Sequence, residues 1–261
     1  MQGRPVVSAL VALLTQAPGA ALATPAAPIW VGRFAPVAAT GSSAAPLPWR
    51  VVQLDAKVPP TQYQIRTWDG VTAIEANARA SMALLARPLE LDLSATPVLC
   101  WRWRVERVLQ LADLSTKNGD DYAARVYVAF RIDPSAMSFG TRASLGIARA
   151  AFGPMVPDGA LNYVWDNHHP VGTRAPNAYT ARTVMVVQRS GATQLGQWVS
   201  ERVNVLADAV QAFGTDKLKA TLLAVAADTD NTREQAHSGF ADLHFVGASQ
   251  ACRFETTAAT P

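Results

Sequence analysis

The chain is short of charge. Asp, Glu, Lys and Arg make up 16% of its 261 residues, against roughly a quarter in ordinary soluble domains. Lysine is scarce, limited to Lys57, Lys117, Lys217 and Lys219, and the formal net charge is only +3 with no run of Lys or Arg. The basic stripe of a nucleic-acid binder is therefore missing. No apolar run reaches the ~20 residues that a membrane-spanning helix needs. There is no C-x-x-C pair, no zincin spacing between histidines, no phosphate-cradling glycine loop and no G-x-S-x-G elbow. Zinc-ribbon, metalloprotease, P-loop and serine-hydrolase chemistries are left without support.

What is present is an apolar chain, 49% by composition, long enough for one large β domain of ~200–250 residues with its own core. Its first residues follow a secretory pattern. Arg4 supplies a short charged start, residues 6–14 are apolar apart from Ser8, and Ala21-Leu22-Ala23 forms a small-residue cleavage site. The pattern predicts a signal peptide over residues 1–23, a mature start at Thr24 and a periplasmic or secreted location. Loss of Arg4 lowers the net charge from +3 to +2. In that compartment Cys100 and Cys252 either close one disulfide, favoured by oxidising surroundings, or remain free thiols buried as small hydrophobes.

Residues 24–48 are rich in Ala, Pro, Gly and Ser, yet Ile29, Trp30, Val31 and Phe34 are too apolar for a tether and predict an edge strand. The main domain is placed at 49–248 and a tail at 249–261. Two segments alternate with period two, as half-buried strands do. In one, Leu99, Trp101, Trp103 and Val105 face one way and Cys100, Arg102 and Arg104 the other. In the second, Val126, Val128, Phe130 and Ile132 oppose Arg125, Tyr127, Ala129 and Arg131. Further strands are predicted at 51–54, 62–68, 72–75, 89–93, 183–188, 221–226 and 240–245. One helix stands out over 204–213, with Asn204 as cap, Leu206, Ala209, Val210 and Phe213 as its apolar stripe, and Gly214 as the stop. With no repeat and no βαβ rhythm, the fold class is all-β: a two-sheet antiparallel β-sandwich, jelly-roll-like, carrying one short packed helix.

Four constellations could carry chemistry. In Asp228-Thr229-Asp230-Asn231-Thr232, oxygens of Asp228, Asp230 and Asn231 could converge on a structural calcium, or the segment is an Asx turn. Asp120 and Asp121 could join Asp228, Asp230 or Glu201 as acid and base of glycan cleavage, or mark a Gly-Asp-Asp turn. The stretch from Asn162 to Pro170 offers Tyr163 and Trp165 as sugar-stacking planes and Asn167 and His168 as hydroxyl partners. His168 could also act as a base. Alternatively Tyr163 and Trp165 are strand residues and both histidines are solvated. Finally, if the two alternating strands pair, Arg102, Arg104, Arg125 and Arg131 with Tyr127 form one face suited to acidic ligands, or a solvated face paired with Glu90, Asp92 and Glu106.

Several segments in order resemble the bacterial exported family called domain of unknown function 3047. They are Cys100-Trp101-Arg102-Trp103-Arg104-Val105, Gly119 to Val128, Leu161-Asn162-Tyr163-Val164-Trp165, Gly196 to Val205, and Asp228 to Thr232. The likeness runs from about Trp30 to Phe245 and departs at Val203, where a second Arg is expected before Asn204. It implies a β fold and no established activity. A looser similarity is to carbohydrate-binding jelly rolls, through Val31 to Phe34, Gly41, Trp49 and the closing strand Phe240 to Phe245.

The leading functional reading is a noncatalytic, exported glycan-binding protein whose partner is a polysaccharide or oligosaccharide, an acidic one if the arginine face binds it. An enzyme on the same fold, a hydrolase or lyase, is the alternative, and an envelope protein-interaction domain the third. No nucleic acid is expected as partner and no membrane span is expected.

Overall fold

The computed structural model describes residues 27–37, 41–154 and 156–254. The predicted signal peptide lies outside them, as does the tail beyond residue 254. Two twisted sheets face one another. The first runs in the order β11 (Val199–Asn204), β6 (Val98–Val105), β13 (Gln235–Val246), β4 (Val71–Arg79), β3 (Gln62–Trp68), and β1 (Ile29–Gly32) pairs with the far half of β13. The second runs β2 (Arg50–Val52), β5 (Leu84–Leu91), β12 (Leu218–Ala226), β7 (Ala124–Ile132), β8 (Gly159–Asp166), β10 (Thr183–Ser190), β9 (Arg174–Pro176). No helix among the described residues is long and apolar enough to cross a membrane.

Alternation builds the core. Leu99, Trp101, Trp103 and Val105 of β6 turn inward and meet Val126, Val128, Phe130 and Ile132 of β7, all in one buried cluster. Phe240, Leu243 and Phe245 of β13 complete it, and Trp101 meets Trp103 edge-on with centroids 5.4 Å apart. Large aromatic side chains suit this position because each removes much apolar area from water.

Two departures from the predicted pattern stand out. The second sheet is mixed, because β10 runs parallel to β8. The connection passes over β9, so no tight hairpin forces the two strands antiparallel. A second helix, α1 (Phe139–Phe152), bridges β7 and β8. Ser138 caps it by accepting from the Thr141 N–H at 3.1 Å. Its two internal glycines and weak apolar period hide it from a periodicity argument.

The predicted helix is α2 (Val205–Phe213). Asn204 Oδ1 accepts from the Ala207 N–H at 2.9 Å, and Gly214 ends it at φ 74, a left-handed residue where glycine carries no Cβ penalty. Ala209 is buried, whereas Val210 faces out at 38% exposure. Phe213 lies so close to Gly159 that a Cβ there would come within 2.7 Å of its ring. Cys100 of β6 and Cys252 form a disulfide with Cα atoms 5.8 Å apart. It ties the first residues of the expected tail to the first sheet.

Candidate functional site

The outer face of the second sheet carries the densest set of polar side chains from the predicted constellations. Register places Ala86, Ala224, Tyr127, Asn162 and Met185 in one cross-strand row, and Ala226, Arg125, Val164 and Val187 in the next. The alanines contribute only methyl groups, so the loops at the end of this face set its relief. Two of those loops follow from the sequence: Gly119 to Ala123 leads into β7, and Ala227 to Arg233 follows β12.

These loops bring the four predicted aspartates together, because β7 and β12 are neighbours. Asp228 is buried and accepts from Arg125 Nε at 2.8 Å and from the Tyr122 N–H at 3.2 Å. Asp121, fully buried, accepts from the Asn231 and Thr232 N–H groups at 3.3 and 2.6 Å. Asp120 accepts from Asn177 Nδ2 at 2.9 Å on each oxygen. Asp230 is half-buried, and burial together with the neighbouring Asp121 carboxylate pushes its carboxyl pKa up. Carboxylate oxygens of Asp121, Asp228 and Asp230 lie within 4.8 Å of one another, a set of hard oxygen donors of the kind a calcium ion takes. The predicted third donor, Asn231, instead directs its amide nitrogen to Lys117 O at 2.8 Å and Tyr179 Oη at 3.0 Å.

Tyr179 and Asn177 are the members that sequence reasoning missed. Tyr179 is 58% exposed, and its ring is held by the Asn231 contact, by donation from its hydroxyl to Lys117 O at 3.3 Å, and by Lys117 Nζ 5.2 Å from the ring centre. Its N–H donates to Asn177 Oδ1 at 3.0 Å. The Pro176-Asn177 pair was the only local signal, a turn former beside an aromatic. Tyr122 and Tyr127 line the same face. Burial first, then Asp120, raises the Tyr122 phenol, and burial pushes Tyr127 up to about 12.

The remaining predicted residues are placed elsewhere. Tyr163 and Trp165 are core residues, 0% and 2% exposed. Tyr163 packs on Trp101 and Trp165 on Trp103, with ring centroids 5.7 and 5.6 Å apart. Strand β8 continues to Asp166, so residues 162–166 of the predicted loop are strand, and its odd positions point inward. Neither ring is a sugar platform. Asn167 donates to Ala112 O at 2.9 Å, and the exposed His168 ring contacts Asn167 Oδ1 at 2.8 Å and lies tilted against the His169 ring. His169 in turn meets buried Asp166 at 3.1 Å.

The predicted arginine face does not form, because β6 and β7 lie in different sheets. Arg102 pairs with Asp242 and Arg104 with Asp69 and Glu106 on the first sheet, while Arg125 and Arg131 lie on the second. Arg131 donates to Val156 O and Pro154 O. Glu201 lies on the inner side of β11, bonded to Trp103 Nε1 at 3.0 Å and to Arg189 Nε at 2.5 Å, apart from the aspartates.

Among solved structures, the fold is similar to a family 12 glycoside hydrolase at 10% identity, covering 76% of this chain and 82% of that one, with a TM-score of 0.37. It is also similar to Trichoderma harzianum endoglucanase 3 at 7% identity, over 78% and 99% of the two chains, TM-score 0.35. A cellulase derived from that of Rhodothermus marinus aligns at 10% identity over 76% and 96%, TM-score 0.33. A comparison with curated proteins gives no match. The model of the family described as protein of unknown function DUF3047 matches residues 47–244, and the chain belongs to that family.

Proposed function

We propose that this is an exported glycan-binding protein whose ligand lies at the loop end of the second sheet's outer face. One observation carries the reading: an exposed ring, Tyr179, is held in place by the amides of Asn177 and Asn231, with Asp120 bonded to Asn177 and Asp230 next to Asn231 in the chain. A fixed aromatic plane offers apolar contact to the flat side of a sugar ring, and convergent carboxylates and amides bond its hydroxyls. Sites that combine apolar surface with a few placed polar groups suit small-molecule recognition. The Arg125–Asp228 pair supports this region from beneath by fixing where the Asp228 loop leaves β12. The secretory pattern and the disulfide favour an extracellular setting.

The test is binding of the mature protein to an array of neutral and acidic glycans. Saturable binding to one class, lost in Tyr179→Ala and weakened in Asp230→Asn, supports the reading. Binding unchanged in both variants, or no binding on the array, overturns it. Tyr163→Phe, a core change, should leave affinity as it was.

A second reading, a glycan-cleaving enzyme, draws on Asp230 alone. A half-buried carboxyl whose pKa is raised, close to a second carboxylate, is the pattern of a general acid. Time-dependent product release from the bound glycan, abolished in Asp230→Asn, would favour it over simple binding.

A further inference from the structure

We infer that α1 docks the protein on an anionic lipid surface. A helix on the surface of a globular protein normally turns its polar side to water. In α1 part of the outward side is apolar instead. Leu145 is its buried anchor, and Arg149 is held against Asp158 at 2.5 Å and Val156 O at 3.1 Å. The opposite side carries Phe139, Ala143, Ile147 and Ala150, spaced i, i+4, i+8 and i+11, and no charged side chain. Phe139 is 79% exposed and Ile147 73% exposed. Exposed apolar surface of this kind marks a place where something else sits.

Charge selects the occupant. The helix holds Arg142 and Arg149 and no acidic residue. Arg131 and Arg182 flank its base, where Arg182 Nε donates to Asp158 O at 2.6 Å. Asp158 is 3% exposed beneath these arginines, and the exposed acids Asp133 and Asp216 lie beside one another on adjoining loops, with Lys217 between them and the sheet. Two exposed apolar side chains with Arg142 beside them, on a helix without an acidic residue, complement a layer of acyl chains under negative headgroups. A second copy fits less well. It would set Arg142 against its own counterpart, and a strip holding two large apolar side chains covers far less than the ~800 Å² per partner of a stable interface. Insertion of two side chains gives weak, reversible contact, so headgroup attraction is needed alongside it.

Flotation of the full chain with vesicles tests this. One set contains equal parts of phosphatidylglycerol and phosphatidylcholine, the other phosphatidylcholine alone. The expected result is binding to the first set, reduced ~tenfold or more in Arg142→Glu and in Phe139→Ser with Ile147→Ser, and weakened by salt. Thermal melting of each variant checks that these exposed substitutions leave the fold intact. No flotation of the wild-type protein, or equal flotation with both sets, overturns the proposal. So does a wild-type dimer that the double variant converts to monomer without any vesicle binding, which would make a second copy the occupant.

Discussion

Arg125 and Asp228 form an ion pair with both side chains almost wholly buried, at 8% and 1% exposure, on the outer face of the second sheet. The Asp228 carboxylate takes two further bonds, from the Arg125 Nε and the Tyr122 N–H. The pair therefore joins β7, β12 and the loop that carries the other aspartates.

Removing one partner leaves the other charge buried and uncompensated. Arg125→Ala should destabilise the protein by about 3–5 kcal/mol, while replacing both, as Arg125→Met with Asp228→Leu, should restore much of the loss. Urea unfolding of the two variants measures this. A cost for Arg125→Ala below that of an ordinary surface change would show that the pair is solvated in solution.

The Cys100–Cys252 bridge closes a loop of 152 residues. Constraining so long a loop in the unfolded chain should contribute about 3–5 kcal/mol. The urea midpoint should therefore fall on adding reductant, and Cys252→Ser should lose the response to reductant entirely.

His244 is fully buried against this bridge. Its Nδ1 faces Asp242 O at 2.6 Å, its Nε2 accepts from the Arg253 N–H at 2.9 Å, and Trp30 stacks on it at 4.4 Å. Burial lowers its pKa from the usual value of 6.5. Below that value the unfolded chain takes up a proton that the folded protein refuses, so stability falls as the pH drops through about 6.5 and is fully present above it. The slope of Tm against pH between 7 and 5 should flatten in His244→Gln, and an unchanged slope would assign it to other groups.

Asp230 has the opposite sign to most carboxylates. Because its folded pKa lies above the unfolded one, its contribution is lost as the pH rises through the folded value. At neutral pH, Asp230→Asn should raise Tm slightly. The gain should stay under ~1 kcal/mol, since the half-exposed carboxyl is screened by water. A clear drop in Tm would mean that Asp230 is stabilised in solution by a partner, a bound cation included.

Much of this protein follows from local rules. Period-two alternation in 99–105 and 126–132 assigns the inward faces correctly, because one strand slipped by one residue would bury arginines in place of tryptophans. Asn204 and Gly214 delimit α2, since capping chemistry acts within one turn. The resemblance carried by Cys100 to Val105 and Asp228 to Thr232 leads to the right family.

Tertiary structure decided what local rules do not reach. Periodicity tells which side chains share a face of one strand, but not which strands are neighbours. Arg102 and Arg125 therefore look alike in sequence and end on different sheets. Tyr163 and Trp165 have the composition of a binding loop, yet long-range packing against Trp101 and Trp103 makes them core. Tyr179 gains its bond to Asn231 only when the strands after Gly119 and before Asp228 pair. That pairing depends on contacts about a hundred residues apart, which composition and spacing do not encode.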